Sequence, residues 1–295
     1  IPIFIKKWSS ILITETRRFP QSFIQNLSFG GKIMQKKVRP TMIHSTLTSS
    51  GHYTSLRKLF EETINVSHIS EQLISFDSKE SINTIHDYMT SSGYDVVGIK
   101  VEGIMGGYIE KGQMNLTYFK PADLVSNTTP LIQVLNLFRD KNRLFILEGN
   151  TITNLVTMAD LQKPPVRMLL FGIISLMEMH FLHLVKSCYP GNSWEEKISE
   201  NRLLETKKLY GSRKERNEEI SLMDCLQLSD KKTLIVKHKE LRGLLQFDSR
   251  AQGEKFFDEI VSLRNKLAHA QDIVTGTTWS NIIDLIVQSE QLLKI

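Results

Sequence analysis

The feature that most constrains this chain is a theme stated twice between residues 66 and 165: a helix, a strand, a tight turn and a second strand. Ser78 to Ser91 reads as a helix with Ser78 as its N-cap. Asp95–Val101 and Met105–Glu110 are β-rich runs joined by a Glu-Gly turn. Thr129-Pro130 then opens a helix through about Arg139, with Pro130 at its first position. Arg143–Glu148 and Thr151–Val156 follow as strands around Gly149-Asn150. A unit used twice within about a hundred residues predicts an internal duplication. After Lys163-Pro164-Pro165 the composition changes, and everything beyond reads as helical.

The second copy ends in Leu155–Leu161, where Thr157 and Asp160 stand three apart. Two jobs fit that spacing. One is a helix cap, with a hydroxyl at the cap and an acid three residues later. The other is ligand binding. With the duplication, the segment resembles a tandem CBS pair, a module that often senses adenine nucleotides. The resemblance implies that Thr157 holds phosphate and Asp160 grips the ribose hydroxyls. Asn154 stands where that family usually has a glycine. The first copy carries Gly106 and Gly107 but no Thr/Ser-x-x-Asp, so at most one nucleotide (AMP, ADP or ATP) is expected per chain.

In the second half, Val166 to Tyr189 holds the apolar run Met168–Met177, interrupted beyond it by Glu178, His180 and His183. It reads as a core or dimer helix, too short to span a membrane. Glu178 and His180 do not share a helix face, whereas His180 and His183 do. No third ligand stands near them, and no metal is expected. Ser193 is expected to cap a polar helix running to about Tyr210, and Leu222–Leu228 to form the next. Lys231–Lys237 is its continuation or a linker. Phe256–Ala270 and Trp279–Leu293 close the chain as helices.

Ser262–Ala270 carries the densest chemistry, an Arg-Asn pair followed by His269. At about 100° per residue, Asn265 and His269 lie on nearly the same helix face. Metal-independent RNA cleavage needs a group of near-neutral pKa to move a proton. It also needs a fixed cation for the charge growing on phosphate. His269 and Arg264 suit these roles, with Asn265 orienting one of them. Plain capping or solvation at a helix end suits the same residues. The pattern Arg-Asn-x-x-x-His resembles the signature of HEPN-type domains, small helical domains behind many metal-independent ribonucleases. That resemblance implies a homodimer with two motifs facing each other across one cleft. If it cuts RNA, the basic residues Lys207, Lys208, Arg213, Lys214 and Arg216 are the candidate backbone track.

Charge refines this. The net +5 of the 295 residues is misleading, because residues 1–40 alone hold eight Lys or Arg against Glu15, a balance of +7. The remainder is therefore −2, and any RNA grip must be local. The first forty residues suit a targeting peptide, a surface-binding arm, or an appended leader with the working protein starting near Met34 or Met42. Cys188 and Cys225 are spaced unlike metal ligands and read as buried free thiols of a reducing, cytoplasmic compartment. There is no Gly-rich phosphate loop and no nucleophile-elbow serine.

The expected architecture is α+β, tandem CBS repeats of βαββα type followed by an all-α HEPN-like bundle. Its segments are a basic leader over 1–41, a lead-in over 42–65, repeats over 66–122 and 123–164, and the helical domain over 165–295. The expected function is an adenine-nucleotide sensor controlling a ribonuclease dimer of bacterial type, a toxin or defence effector. Its partners would be RNA or tRNA, with neither DNA nor membrane. The competing reading is a non-catalytic nucleotide-binding regulatory and dimerisation protein. A ligand-free scaffold is the third.

Overall fold

Asp77 decides where the first helix begins. Its carboxylate accepts from Lys79 N at 3.0 Å, and Ser78 N donates to Lys100 O, so this stretch is a turn. Helix α1 therefore spans Ile82–Ser92, capped by the Ser81 hydroxyl rather than by Ser78. Gly93, at φ 74, ends it in the left-handed conformation glycine tolerates best. The computed structural model describes Lys58, Phe60 and residues 62–294, all within one compact unit. The leader expected over 1–41 lies outside the described residues.

The two units are alike down to their hydrogen-bond register. In the first, β2 (Ser75–Asp77) runs parallel to β3 (Val96–Val101), which pairs antiparallel with β4 (Ile104–Glu110). In the second, β5 (Leu124–Ser126) runs parallel to β6 (Arg143–Glu148), which pairs antiparallel with β7 (Thr151–Thr157). Each parallel pair is bridged by a helix, α1 or α2 (Leu131–Leu137). Each middle strand also carries a register shift after its fourth residue, at Ile99/Lys100 and at Ile146/Leu147. A shared irregularity at one position marks a repeated design. The lead-in strand β1 (Glu71–Gln72) pairs with β7 across the units, giving the sheet order β1-β7-β6-β5. Pro130 is one place earlier than anticipated: at ψ 134 it is still extended, so it precedes α2 as its cap.

The helical half starts at the Pro164-Pro165 boundary. Helix α3 (Pro164–Cys188) opens on proline, whose missing N–H costs nothing in a first turn. It is 25 residues long, so it is not too short to cross a membrane, contrary to the expectation from its interruptions. Half of its most apolar window is nevertheless buried inside this fold. One interruption, Glu178, pairs at 3.0 Å with Lys231, a lysine only 5% exposed. Trp194, buried, precedes a short 3₁₀ turn (Glu195–Lys197), and Ser193 caps nothing there. Extended Ile198 and Ser199 break the chain before α4 (Glu200–Glu215), which runs past Tyr210. Leu222–Cys225 is a 3₁₀ turn, and Lys231–Lys237 belongs to a separate helix, α5 (Leu228–Lys237). The chain closes with α6 (Lys239–Leu244), α7 (Arg250–Ala268) and α8 (Trp279–Leu292). Both cysteines are free; Cys225 is buried and Cys188 only half-buried.

The cores are unequal. The main one joins Val66, Leu131, Leu135, Phe138, Leu144 and Val156 of the second unit and its lead-in to α3, α5, α7 and α8. Each such fully buried side chain contributes about 1.5–3 kcal/mol. The first unit closes over a small core of its own, Ile85, Met89, Val97, Ile99 and Ile109. Between the units lie Leu73, Val96, Tyr108, Phe145 and Ile152. There Arg143 of β6 pairs with Glu110 of β4 and lies 5.3 Å from the centre of the Tyr108 ring. The molecule is thus a mixed α+β fold with a helical C-terminal region.

Candidate functional site

Helix α7 is amphipathic, burying Phe256, Phe257, Ile260 and Leu263 and turning Asn265 to solvent. His269 is its C-cap, with its backbone N–H on Asn265 O at 3.0 Å. The end is a Schellman closure: Gln271 N donates to Lys266 O at 2.9 Å and Ala270 N to Leu267 O at 3.4 Å. Ala270 accordingly sits at φ 52, where glycine is usual. This closure fixes where the exposed His269 leaves the helix.

The structure brings Asn265 and His269 onto one exposed stripe. Arg264 is half-buried on the flank, about 140° around the helix from His269. Among the described residues, none donates to or accepts from the side chains of Arg264, Asn265 or His269. The capping and solvation alternative therefore reduces here to solvation, since the closure is made by backbone. Beside the stripe, Ser262, Lys266, Ile273 and Thr277 line an open groove of about 830 Å³ between α7 and α8.

The loop after the motif is held tightly. Asp272 accepts from Thr275 Oγ1 at 3.1 Å, from Val274 N at 3.2 Å and from Gln162 Nε2 at 2.5 Å. The Val274 N–H foremost, against some desolvation, and then Thr275, Gln162 and the charge of Lys266 hold its carboxyl below the ordinary 3.8. Lys266 Nζ donates to the carbonyls of Ile273, at 3.1 Å, and of Thr275. Arg167, near the start of α3, donates to Lys266 O at 3.1 Å. Sequence inspection missed Gln162, Arg167 and Asp272, because nothing local links residues more than ninety positions apart.

Thr157 and Asp160 do come together, as a capping box over the 3₁₀ turn Met158–Gln162. Asp160, 5% exposed, takes Thr157 N at 2.7 Å and Thr157 Oγ1 at 2.9 Å on one oxygen, and Lys163 Nζ at 2.6 Å on the other. Lys163 also donates to Ile69 O and to Glu71. The same arrangement recurs at Ser221 and Asp224, with Ser221 N and Oγ on one oxygen and Lys186 on the other. Capping alone therefore accounts for the geometry at Thr157, and a ribose would have to displace Lys163 to reach Asp160. The glycines of the first copy have another use: a Cβ on Gly107 would come within 2.5 Å of Thr117 O, which accepts from Tyr108 N.

The basic run is largely neutralised. Lys207 pairs with Glu195, Lys208 with Glu205, and both Arg213 and Arg216 with Glu218. Lys214 lies 5.8 Å from the centre of the Tyr210 ring. These are exposed contacts that a polyanion can exchange, but they do not form a free cationic track.

No protein-family model matches this chain, and no curated protein does. Among solved structures it is similar to a conserved CBS domain protein of unknown function from Thermoplasma acidophilum, 13% identical over 37% of this chain and 75% of that one, with a TM-score of 0.29. A functionally unknown conserved domain from Neisseria meningitidis is 19% identical over 36% of this chain and 82% of that one, at 0.29. The CBS domain of a bacterial CNNM/CorC family Mg2+ transporter, solved with ATP, is 16% identical over 40% of this chain and 97% of that one, also at 0.29. Scores this low establish no shared fold for the whole chain, so the duplicated architecture rests on its own strand order and register.

Proposed function

We propose that this chain is a regulated, metal-independent ribonuclease, in which a CBS-type α/β pair governs a HEPN-like helical domain. The observation that carries the reading is that Asn265 and His269 share one exposed stripe at the end of a well-packed helix with Arg264 on its flank, their side chains bonded to no described residue. In cleavage, the 2′-oxygen of RNA bonds to phosphorus as the P–O5′ bond breaks. One imidazole takes the 2′-OH proton and another supplies a proton to O5′. A single chain presents one such histidine in this motif, so the working cleft needs His269 from two copies, with Arg264 holding the phosphate charge. The proposed regulatory ligand is an adenine nucleotide, AMP, ADP or ATP. Its phosphates would draw Lys163 away from Asp160 and free that carboxylate for the ribose.

The test is incubation of the purified chain with total RNA and tRNA in EDTA, with and without ATP or AMP. His269→Ala is expected to lower cleavage by about 10²–10⁴ without unfolding the protein. Cleavage that survives in that variant would remove His269 from the chemistry. No cleavage by the unaltered chain under any condition would overturn the nuclease. It would leave the non-catalytic nucleotide-binding and dimerisation reading, which the ion pairs of Lys207, Lys208, Arg213 and Arg216 favour.

A further inference from the structure

We infer that residues 162–167 form a clasp carrying the state of the Thr157–Asp160 turn to the loop behind His269. Three side chains within two helical turns reach three different places. Lys163 faces the α/β half, bridging Asp160, Glu71 and the Ile69 carbonyl. Gln162 faces the loop, donating to Asp272 Oδ1 at 2.5 Å and accepting from Ile273 N at 3.4 Å. Arg167 reaches the carbonyl of Lys266, which also closes the last turn of α7 through Gln271 N.

The linkage is short and stiff. Lys163 N bonds to Asp160 O at 3.0 Å, and Arg167 N to Lys163 O at 3.3 Å, so the turn and the first turn of α3 are one hydrogen-bonded piece. Lys163 and Gln162 are adjacent, and extended backbone at Lys163 (ψ 152) aims them at opposite partners. A change that releases the Lys163 ammonium from Asp160 lets this hydrogen-bonded piece shift as a unit, and the Gln162 amide moves with it relative to Asp272. The loop from Gln271 to Thr277 then loses the outer half of its support, because its inner half rests on Lys266. His269 stands at the hinge of that loop, so its presentation shifts with it. This gives coupling a physical element with two arrangements, clasp closed and clasp open. The regulatory meaning rests on the proposed role of Arg264, Asn265 and His269; the clasp itself does not.

The experiment is amide hydrogen exchange on the full chain, following residues 264–277. Lys163→Met perturbs only the α/β side of the clasp, and Gln162→Leu cuts its contact with the loop. Each is expected to raise exchange in 264–277 roughly fivefold, the factor that loss of one ordinary hydrogen bond represents. The double variant is expected to match Gln162→Leu alone, because the two act in series. Unchanged exchange in Lys163→Met, with α3 and α5 still protected, would overturn the transmission. Additive effects in the double variant would overturn it too. Asp272→Ala removes Oδ1, the oxygen that takes the Gln162 amide, so it opens the clasp from the loop side and is expected to reproduce Gln162→Leu should that variant fold poorly. Series behaviour in a chain that cleaves no RNA would keep the clasp and sink the nuclease.

Discussion

Ala270 and Asp272 flank the turn that presents His269, and each has a measurable signature. Ala270 occupies φ 52 in a position where a Cβ is unfavourable. Ala270→Gly is expected to stabilise the protein by about 0.5–1 kcal/mol, even after the added freedom of the unfolded glycine is set against it. The urea midpoint should rise with an unchanged slope. Asp272, held below its ordinary value by the Val274 N–H and its other partners, works in the opposite sense to a histidine. Its folded pKa lies below its unfolded one, so its contribution is complete above about pH 4 and fades as pH falls through the folded value. In Asp272→Asn, the acid limb of the stability profile below about pH 4 should flatten. That Asn265 and His269 share an exposed helix face was legible from their spacing of four. Their support was not, since Gln162 and Asp272 are 110 residues apart and each is unremarkable by itself.

At the scale of elements, hairpins were the easiest to see. β-Rich runs around Glu102-Gly103 and around Gly149-Asn150 encode strands and turns locally, and β3, β4, β6 and β7 fall within a residue or so of where those runs place them. Helix ends were harder wherever a side chain captured the backbone first, as Asp77 does before α1. The Thr157 capping box illustrates a different limit: spacing alone does not separate a cap from a ligand grip, and the recurrence of that geometry at Ser221 is visible only in three dimensions. Strand β4 offers a sharp test of close packing. Gly107→Ala places a methyl against a backbone oxygen that has no room to move while it holds Tyr108 N. A loss of about 1–3 kcal/mol is expected from such crowding. Thermal unfolding of the variant checks it, and a cost near zero would mean that the 116–118 segment yields freely.

Across the whole molecule, the two α/β units are equal in topology and unequal in attachment. The second shares a continuous core with α3, α5, α7 and α8, whereas the first has its own five-residue core and meets its sister mainly through the Tyr108–Phe145 layer. Regions with fewer buried contacts open at lower free energy. Native-state exchange should therefore find the buried amides of α1 released well before those of α3, and equal protection would show that the interlayer contacts bind the units into one cooperative block. One feature of α3 matters beyond the folded state. Phe60 sits over Gly172, where a Cβ would come within 2.1 Å of its ring, and beside it lie Ile132, Leu169, Ile173, Leu176 and Leu293. Met168, Phe171 and Met179 are already exposed on the same helix. A chain trimmed past Phe60 would join these surfaces into one water-facing apolar seam, and its first symptom would be colloidal: self-association and loss from solution while the fold itself survives.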